Sequence, residues 1–166
     1  MSTYYPSLSE TIIQILKDYF GLAYGIQMYF NGDPIIIPKN YLPAICVEKI
    51  SSSATQTSTQ RDDLHSVVVI KLILNKEDDF NQSDTEDSTL KKMEHMVEGR
   101  DDVSRQYLSN SLLGVLRQYF TMGNRITLQE EEVDYGISKR PDQTITAECH
   151  IKLSIEERII MNAPRV

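Results

Sequence analysis

A long, unbroken alternation of apolar and polar side chains near the end of the 166-residue chain is its strongest structural signal. From Ile145 to Ile155, every odd-numbered residue is apolar and every even-numbered residue is polar. Because successive side chains of a β-strand point to opposite faces of a sheet, this period of two predicts a strand with one buried face. The buried face needs a cover of helices, whereas the polar face, with Glu148, His150 and Lys152, meets solvent or another chain.

Two further segments predict a long β-hairpin in the first half of the chain. Ala44–Ile50 and the nearly continuous apolar run 67–74 flank a stretch of Ser, Thr and Gln, residues 51–60, which is too polar to pack. We therefore expect a flexible loop at 51–60 that forms the hairpin tip. The run 67–74 has Lys71 as its only charge, which is typical of a strand in the middle of a sheet.

Three helices are expected to cover the sheet. Ser7 and Glu10 have the spacing of a capping box, and Gly21 is placed to end the helix that they begin. The apolar stripe of this helix is Ile12, Ile13, Leu16, Tyr19 and Phe20. A short helix is expected to end near Gly99, and another to run from about Asp101 to the Gly and Asn at positions 123 and 124.

These elements predict one α+β domain over residues 1–166, with a mainly antiparallel sheet, a long hairpin and helices packed on one face. A chain of this length can bury one core well but not two. A strand is also expected over 23–30, between the first helix and the hairpin. The acidic segment 75–87 has few large apolar residues, so a second flexible loop is expected there.

Charge and hydropathy restrict the function. The net charge of -7 and pI near 4.9 argue against binding nucleic acid or anionic membranes through the overall electrostatic field. No apolar run is long enough for a membrane span, and no signal-peptide pattern opens the chain, so a cytoplasmic location is expected. Cys46 and Cys149 lie in apolar, strand-like runs and are predicted to be reduced core thiols.

No pattern typical of catalysis or of cofactor binding is present. His65, His95 and His150 are scattered, and the glycines are too dispersed for a phosphate-binding loop. Pro141 and Asp142, followed by Glu148, only faintly match a metal-dependent nuclease pattern, since His150 stands where a Lys would position the water. We expect no catalytic residue, no cofactor and no metal site.

Three segments together resemble the tail terminator proteins of long-tailed bacteriophages, the neck components that cap the tail tube. They are the helix 8–20 leading into a strand, the segment MEHMVEGRDDVSRQYLSNSLLGVL and the last strand TITAECHIKLSIEE. The resemblance implies a structural virion protein without enzymatic activity, which forms a homo-hexameric ring. This ring would stop polymerisation of the tube and join it to the head-side connector.

The same resemblance implies a set of partners and a location. The partners would be other copies of the chain, the tail tube protein, the head completion or connector protein and, in a contractile tail, the sheath protein. DNA would only pass through the lumen of the ring, and no membrane would be involved. The protein would be found in the host cytoplasm during assembly and then in the neck of the virion.

Candidate assembly contacts lie on the two predicted loops and on the polar strand face. They are Ser53, Thr55, Thr57, Glu77, Asp78, Asp79, Glu148, His150 and Lys152. One alternative is another neck or connector protein, or a protein of the tail-tube type, with the same ring architecture. A second alternative, from a different class, is a monomeric ligand-binding or metal-dependent enzyme domain with a concave pocket.

Overall fold

A computed structural model describes residues 6–58, 61–76, 88–119 and 126–160. In these residues the strands are β1 (Met28–Asn31), β2 (Ala44–Ser58), β3 (Arg61–Asn75), β4 (Ile126–Lys139) and β5 (Ile145–Ile160). The α-helices are α1 (Leu8–Leu16), α2 (Leu22–Tyr24), α3 (Thr89–Glu98) and α4 (Leu112–Tyr119), and a π-helical segment, Lys17–Gly21, joins α1 to α2. The predicted α+β class is confirmed.

The five strands form one mixed, mainly antiparallel sheet in the order β1-β2-β3-β5-β4. β3 lies in the middle of this order, as the apolar run 67–74 predicts, and pairs antiparallel with both β2 and β5. β4 pairs antiparallel with β5, and the short β1 lies parallel to the start of β2. The long hairpin and the final alternating strand therefore form the middle of one continuous sheet.

One face of this sheet, here called the helix face, carries the main hydrophobic core. It includes Ile45 of β2, Ile70 of β3 and Ile151 of β5, all fully buried against helical side chains. The helices contribute Ile12, Leu16, Phe20, Met93, Val97, Leu112 and Leu116 to the same cluster. Helices on one face are thus confirmed, and the buried side of the alternation in β5 is the side that they cover.

The first helix begins as the sequence predicts but ends differently. The Ser7 hydroxyl accepts a hydrogen bond from the Glu10 amide (3.3 Å), and the Glu10 carboxylate accepts one from the Ser7 amide (3.0 Å). Gly21 does not end the helix, because its φ of -64° is helical, and the left-handed stop is Gly25, with φ 65°. Gly21 instead makes room for β1, since a Cβ there would overlap the Tyr29 hydroxyl.

Two of the expected segments have a different conformation in the structure. The predicted strand over 23–30 begins only at Met28. The predicted flexible loop at 51–60 is wrong for residues 51–58, which continue β2, and residues 59–60 lie outside the described residues. Backbone pairing with β3 accounts for this strand, because exposed strand positions accept Ser, Thr and Gln without any need for burial. Of the second loop, 75–87, Asn75 ends β3 and 77–87 lies outside the described residues.

The helix expected from Asp101 begins only at Leu112. The Asp101 carboxylate accepts hydrogen bonds from the backbone amides of Val103 (3.0 Å) and Ser104 (2.8 Å) and so forms a turn. Such side-chain bonds to nearby amides compete with helix formation. Val103, which falls within the predicted helix, is 87% exposed in this turn.

Adjacent aromatic residues of the π-helical segment provide a test of the core. Phe20 is fully buried, whereas Tyr19 is 43% exposed and stacks on Tyr119 with ring centroids 3.7 Å apart. We expect Phe20→Ala to lower the free energy of unfolding by about 3–5 kcal/mol. Tyr19→Ala should lower it by only about 1 kcal/mol, the value of an aromatic pair. Urea denaturation followed by circular dichroism measures both, and equal losses would contradict this assignment of the core.

Candidate assembly face

The second face of the sheet, here called the polar face, is defined by rows of side chains that run across the strands. Lys71 of β3 stands beside His150 of β5, and His150 beside Asp134 of β4. In the next row Lys152 stands between Val69 and Glu132. His150 and Lys152 are therefore neighbours on one face, as the alternation predicts, and both are accessible to solvent.

Two β-bulges determine which side chains of β2 and β4 lie on this face. β2 has a register shift between Lys49 and Ser51, and β4 has one between Leu128 and Glu130. A bulge adds one residue to a strand and so reverses its alternation beyond that point. Before its bulge, β2 places even-numbered residues on the polar face, and after it the odd-numbered ones, including Ser53 and Thr55.

Ser53 and Thr55 thus lie on the same face as His150 and Lys152, in a part of the sheet further from the helices. Ser53 pairs with His65, and Thr55 with Asp63. Both residues are exposed. The structure places four of the predicted contact residues, Ser53, Thr55, His150 and Lys152, on one continuous surface.

The other predicted contacts have different surroundings. Thr57 lies at a second irregularity of β2, and its hydroxyl donates to the Arg61 carbonyl at 3.3 Å. Glu148 is on the polar face but is buried, and its carboxylate accepts a hydrogen bond from Arg140. We therefore correct its role from an exposed contact to an internal partner. Glu77, Asp78 and Asp79 lie outside the described residues.

A network of buried and partly buried charges that sequence reasoning missed occupies the covered end of the polar face. Arg140, with only 8% of its side chain exposed, donates to Asp33 (3.0 Å), to the Ile35 carbonyl (2.9 Å) and to Glu148. Asp33 also accepts a hydrogen bond from Lys71 at 2.8 Å. Two cations and two carboxylates therefore neutralise one another, as burial of charge requires.

This network attaches the segment 32–43 to the sheet. Ile37 and Leu42 of the segment pack on Ala44, Cys46 and Ile73 in a second, smaller core on the polar face. Ile35 has a φ of 68°, which is strained for a β-branched residue. The Asp33 carboxylate accepts a hydrogen bond from the Ile35 amide at 2.8 Å and, together with Arg140, holds this backbone in place.

The protonation of Asp33 depends on the same contacts. Burial raises the pKa of its carboxyl, but hydrogen bonds from Lys71, the Ile35 amide and Arg140 outweigh burial and hold the pKa well below its usual range. The sequence contains one indication of this network, which is the lone charge of Lys71 in the apolar run 67–74. A lone charge in a buried apolar strand needs an opposite charge nearby.

Potentially reactive groups elsewhere do not form a recognisable catalytic arrangement in the described residues. His65 Nε2 lies 3.0 Å from the Ser154 hydroxyl, the distance of a base from a nucleophile. The contact lies on the exposed part of the sheet, and in the described part of the chain no carboxylate accepts a hydrogen bond from His65 to orient its ring. Cys46 and Cys149 are free and buried, as predicted, and burial raises the pKa of each thiol to about 12.

The faint nuclease pattern has an ordinary structural explanation. Asp142 accepts a hydrogen bond from the Thr144 amide at 3.0 Å in the turn before β5, and Glu148 pairs with Arg140. Within residues 6–58, 61–76, 88–119 and 126–160, no three His, Cys, Asp or Glu side chains are grouped as metal ligands would be. None of the helices in those residues is long and apolar enough to cross a membrane.

Comparison with known proteins adds no assignment, since no protein-family model matches the chain and no curated protein is significantly similar to it.

Removal of Arg140 should be strongly destabilising. Arg140→Ala leaves Asp33 and Glu148 without their shared cation, so we expect a loss of about 3–5 kcal/mol in the free energy of unfolding. Arg158→Ala is the matched control on β5, where the side chain is exposed, and should change stability by no more than about 0.5 kcal/mol. Urea titrations of the two variants at pH 7 measure this difference, and a mild effect of Arg140→Ala would show that the network contributes little.

The lowered pKa of Asp33 predicts how stability depends on pH. The unfolded carboxyl has a pKa of about 3.9, so its charged form stabilises the fold fully above roughly pH 5. This contribution is lost as the pH falls below about 4 toward the lower pKa of the folded state. Asp33→Asn should therefore be less stable than the unaltered chain at pH 7, and the difference should shrink as the pH falls from 4 to 2. Denaturant titrations across this range test it, and a constant difference would contradict it.

Proposed function

We propose that this protein is a subunit of a homo-hexameric ring that caps a bacteriophage tail tube, ends its polymerisation and joins it to the head-side connector. The proposal rests on the resemblance of the sequence to tail terminators. The structural observation that favours assembly is an extension of the sheet that no described helix covers. It is called the sheet arm here and comprises 51–58 of β2, 61–65 of β3 and 156–160 of β5.

Many side chains of the sheet arm are exposed, as is expected of a surface that contacts another subunit. Every residue from Ser51 to Ser58 is exposed. On the helix-face side, Leu64 is only partly buried and Ile159 is 36% exposed, because the helical core cluster does not extend to them. A sheet with both faces in water gains little from burial of apolar side chains, so packing against a second subunit would stabilise it.

β2 and β4 also have long edges that no described strand covers. β1 pairs only with Ala44–Val47, so β2 has an open edge from Glu48 to Ser58 within the described residues. β4 is the last strand on the other side, and its outer edge is likewise unpaired there. Open edges bind further strands readily, which makes them candidate contacts between subunits.

Charge favours contact between the two different edges. The exposed Glu132 and Asp134 are on β4, so two β4 edges would bring like charges together. The open edge of β2 from Glu48 to Ser58 has one acidic residue, Glu48, and the adjacent Lys49 offsets its charge. A contact of β4 with β2 of the next subunit avoids this repulsion, and such head-to-tail contacts close into rings when the rotation between subunits permits.

The acidic balance of the chain fits the proposed passage of DNA. With a net charge of -7, a ring of this protein would repel DNA in its lumen rather than retain it. Lys152 and His150 lie among Glu132, Asp134 and Glu48 on the polar face, so that face is not a basic surface.

The mass of the purified protein in solution tests the proposal. Light scattering at several concentrations should give six times the 19.0 kDa mass of the chain, and electron microscopy should show closed rings. Filaments instead of rings would favour the alternative of a tail-tube protein. A mass of one chain at every concentration would contradict a ring that forms by itself.

A variant with a shortened sheet arm tests the proposed contact. Deletion of 53–56 together with their register partners 62–65 removes paired residues and keeps the alternation of both strands. We expect this variant to remain folded, since its core is untouched, but to lose the ring. The matched control is Lys91→Ala, an exposed position on α3 outside the arm, which should keep the ring. Ser53→Ala with Thr55→Ala keeps the backbone edge and removes only two hydroxyls, so it separates a contact through the strand edge, which this variant would keep, from a contact through these side chains, which it would lose. A ring that survives the deletion would exclude the arm from the contact.

A further inference from the structure

A pocket with a volume of about 670 Å³ opens beside α4 and the turn that precedes it. Arg100, Arg105 and Arg117 line it, with Tyr107, Gln106 and Gln118 among their neighbours. The described lining contains no Asp or Glu, although the chain as a whole has a net charge of -7. Glu131 pairs with Arg117, and the charges of Arg100 and Arg105 still make the lining positive, opposite to the molecule as a whole, which points to a ligand that is an anion.

The aromatic ring of Tyr107 contacts two of the three guanidinium groups. The Cζ atom of Arg117 lies 4.7 Å from the centre of the Tyr107 ring, and that of Arg100 lies 5.0 Å from it. A guanidinium over an aromatic ring uses its flat face for this contact and keeps its N–H edge for acceptors. Arg100 donates to the Tyr107 hydroxyl at 3.5 Å and Arg117 donates to Glu131, and each guanidinium has further N–H groups for a ligand.

The turn after α3 determines where Arg105 lies. Arg105 has a φ of 60°, a left-handed backbone that is unfavourable for residues with a Cβ. The Asp101 carbonyl accepts a hydrogen bond from the Arg105 amide at 2.9 Å, and its carboxylate accepts from Val103 and Ser104. The turn is thus closed by its own hydrogen bonds, and it places a third guanidinium beside the other two.

We propose that this pocket binds a compact ligand with several phosphate or carboxylate groups. Arginine forks pair with two oxygens of such a group at once, and neutral amide donors from Gln106 and Gln118 suit the remaining oxygens. The volume falls in the range of small-molecule sites and exceeds what one phosphate group would fill. The inference is independent of ring formation, because the pocket is formed by a single chain.

Isothermal titration calorimetry with sodium tripolyphosphate and, separately, with citrate tests the proposal, at constant ionic strength to exclude general screening. We expect saturable binding of one anion per chain. Arg100→Gln and Arg105→Gln should each weaken it at least tenfold. The matched control is Arg158→Gln on β5, which changes the net charge equally and should leave the affinity unchanged.

The results separate the two kinds of ligand and can overturn the site. Binding of tripolyphosphate alone would identify a phosphate ligand, and binding of citrate alone a carboxylate ligand. Failure of both anions to saturate would overturn the proposal, as would an equal loss in Arg158→Gln. Arg100 and Arg105 are exposed, so circular dichroism should show that both variants keep the fold.

Discussion

The unbroken pairing of β3 with β5 is the constraint on which the rest of this fold depends. From Arg61 with Ile160 to Asn75 with Thr146, each residue of one strand faces a residue of the other without a shift. A slip by one residue would turn every side chain of a strand to the wrong face. This pairing therefore fixes which residues of β3 and β5 contact the helices and which form the polar face. β2 and β4 then pair with these two strands and extend both faces.

The polar face depends on a second interaction, the ion pairs around Arg140. They hold the segment 32–43 on the sheet together with its small apolar cluster and the hydrogen bond that the Gly32 amide donates to the Val47 carbonyl. The network joins residues far apart in the chain, since Asp33 and Arg140 are separated by 107 positions. It also divides the face into a covered end, with Glu148 inside, and an accessible part that includes His150 and Lys152.

Much of the fold follows from local patterns in the sequence, whereas the departures arise from non-local contacts. The alternation in β5 and the capping box at Ser7 rest on neighbours in the chain, so they could be predicted. The role of Gly21 could not, because a sequence does not show that Tyr29 packs against that backbone. The Arg140 network could not be predicted for the same reason, because its residues are far apart in the chain. Residues 51–58 of β2 were predicted as a loop because their composition of Ser, Thr and Gln is typical of one. Of the candidate contacts, the face of β5 was predictable, but the side to which Ser53 points depends on a bulge.

The two bulges have a further consequence for the shape of the sheet. The bulge of β2 lies opposite Val67 and Val68 of β3, and that of β4 lies opposite Ser154 and Ile155 of β5. Because Val67 pairs with Ser154, the two bulges lie at nearly the same position along the strands. Bulges increase local twist and bend a strand, and a coincident pair creases the sheet along one line. Beyond this crease β2 and β4 have the opposite alternation of inward and outward residues, whereas β3 and β5 keep theirs. Sequence changes in the arm can therefore alter how copies of the protein fit together while leaving the buried core unchanged.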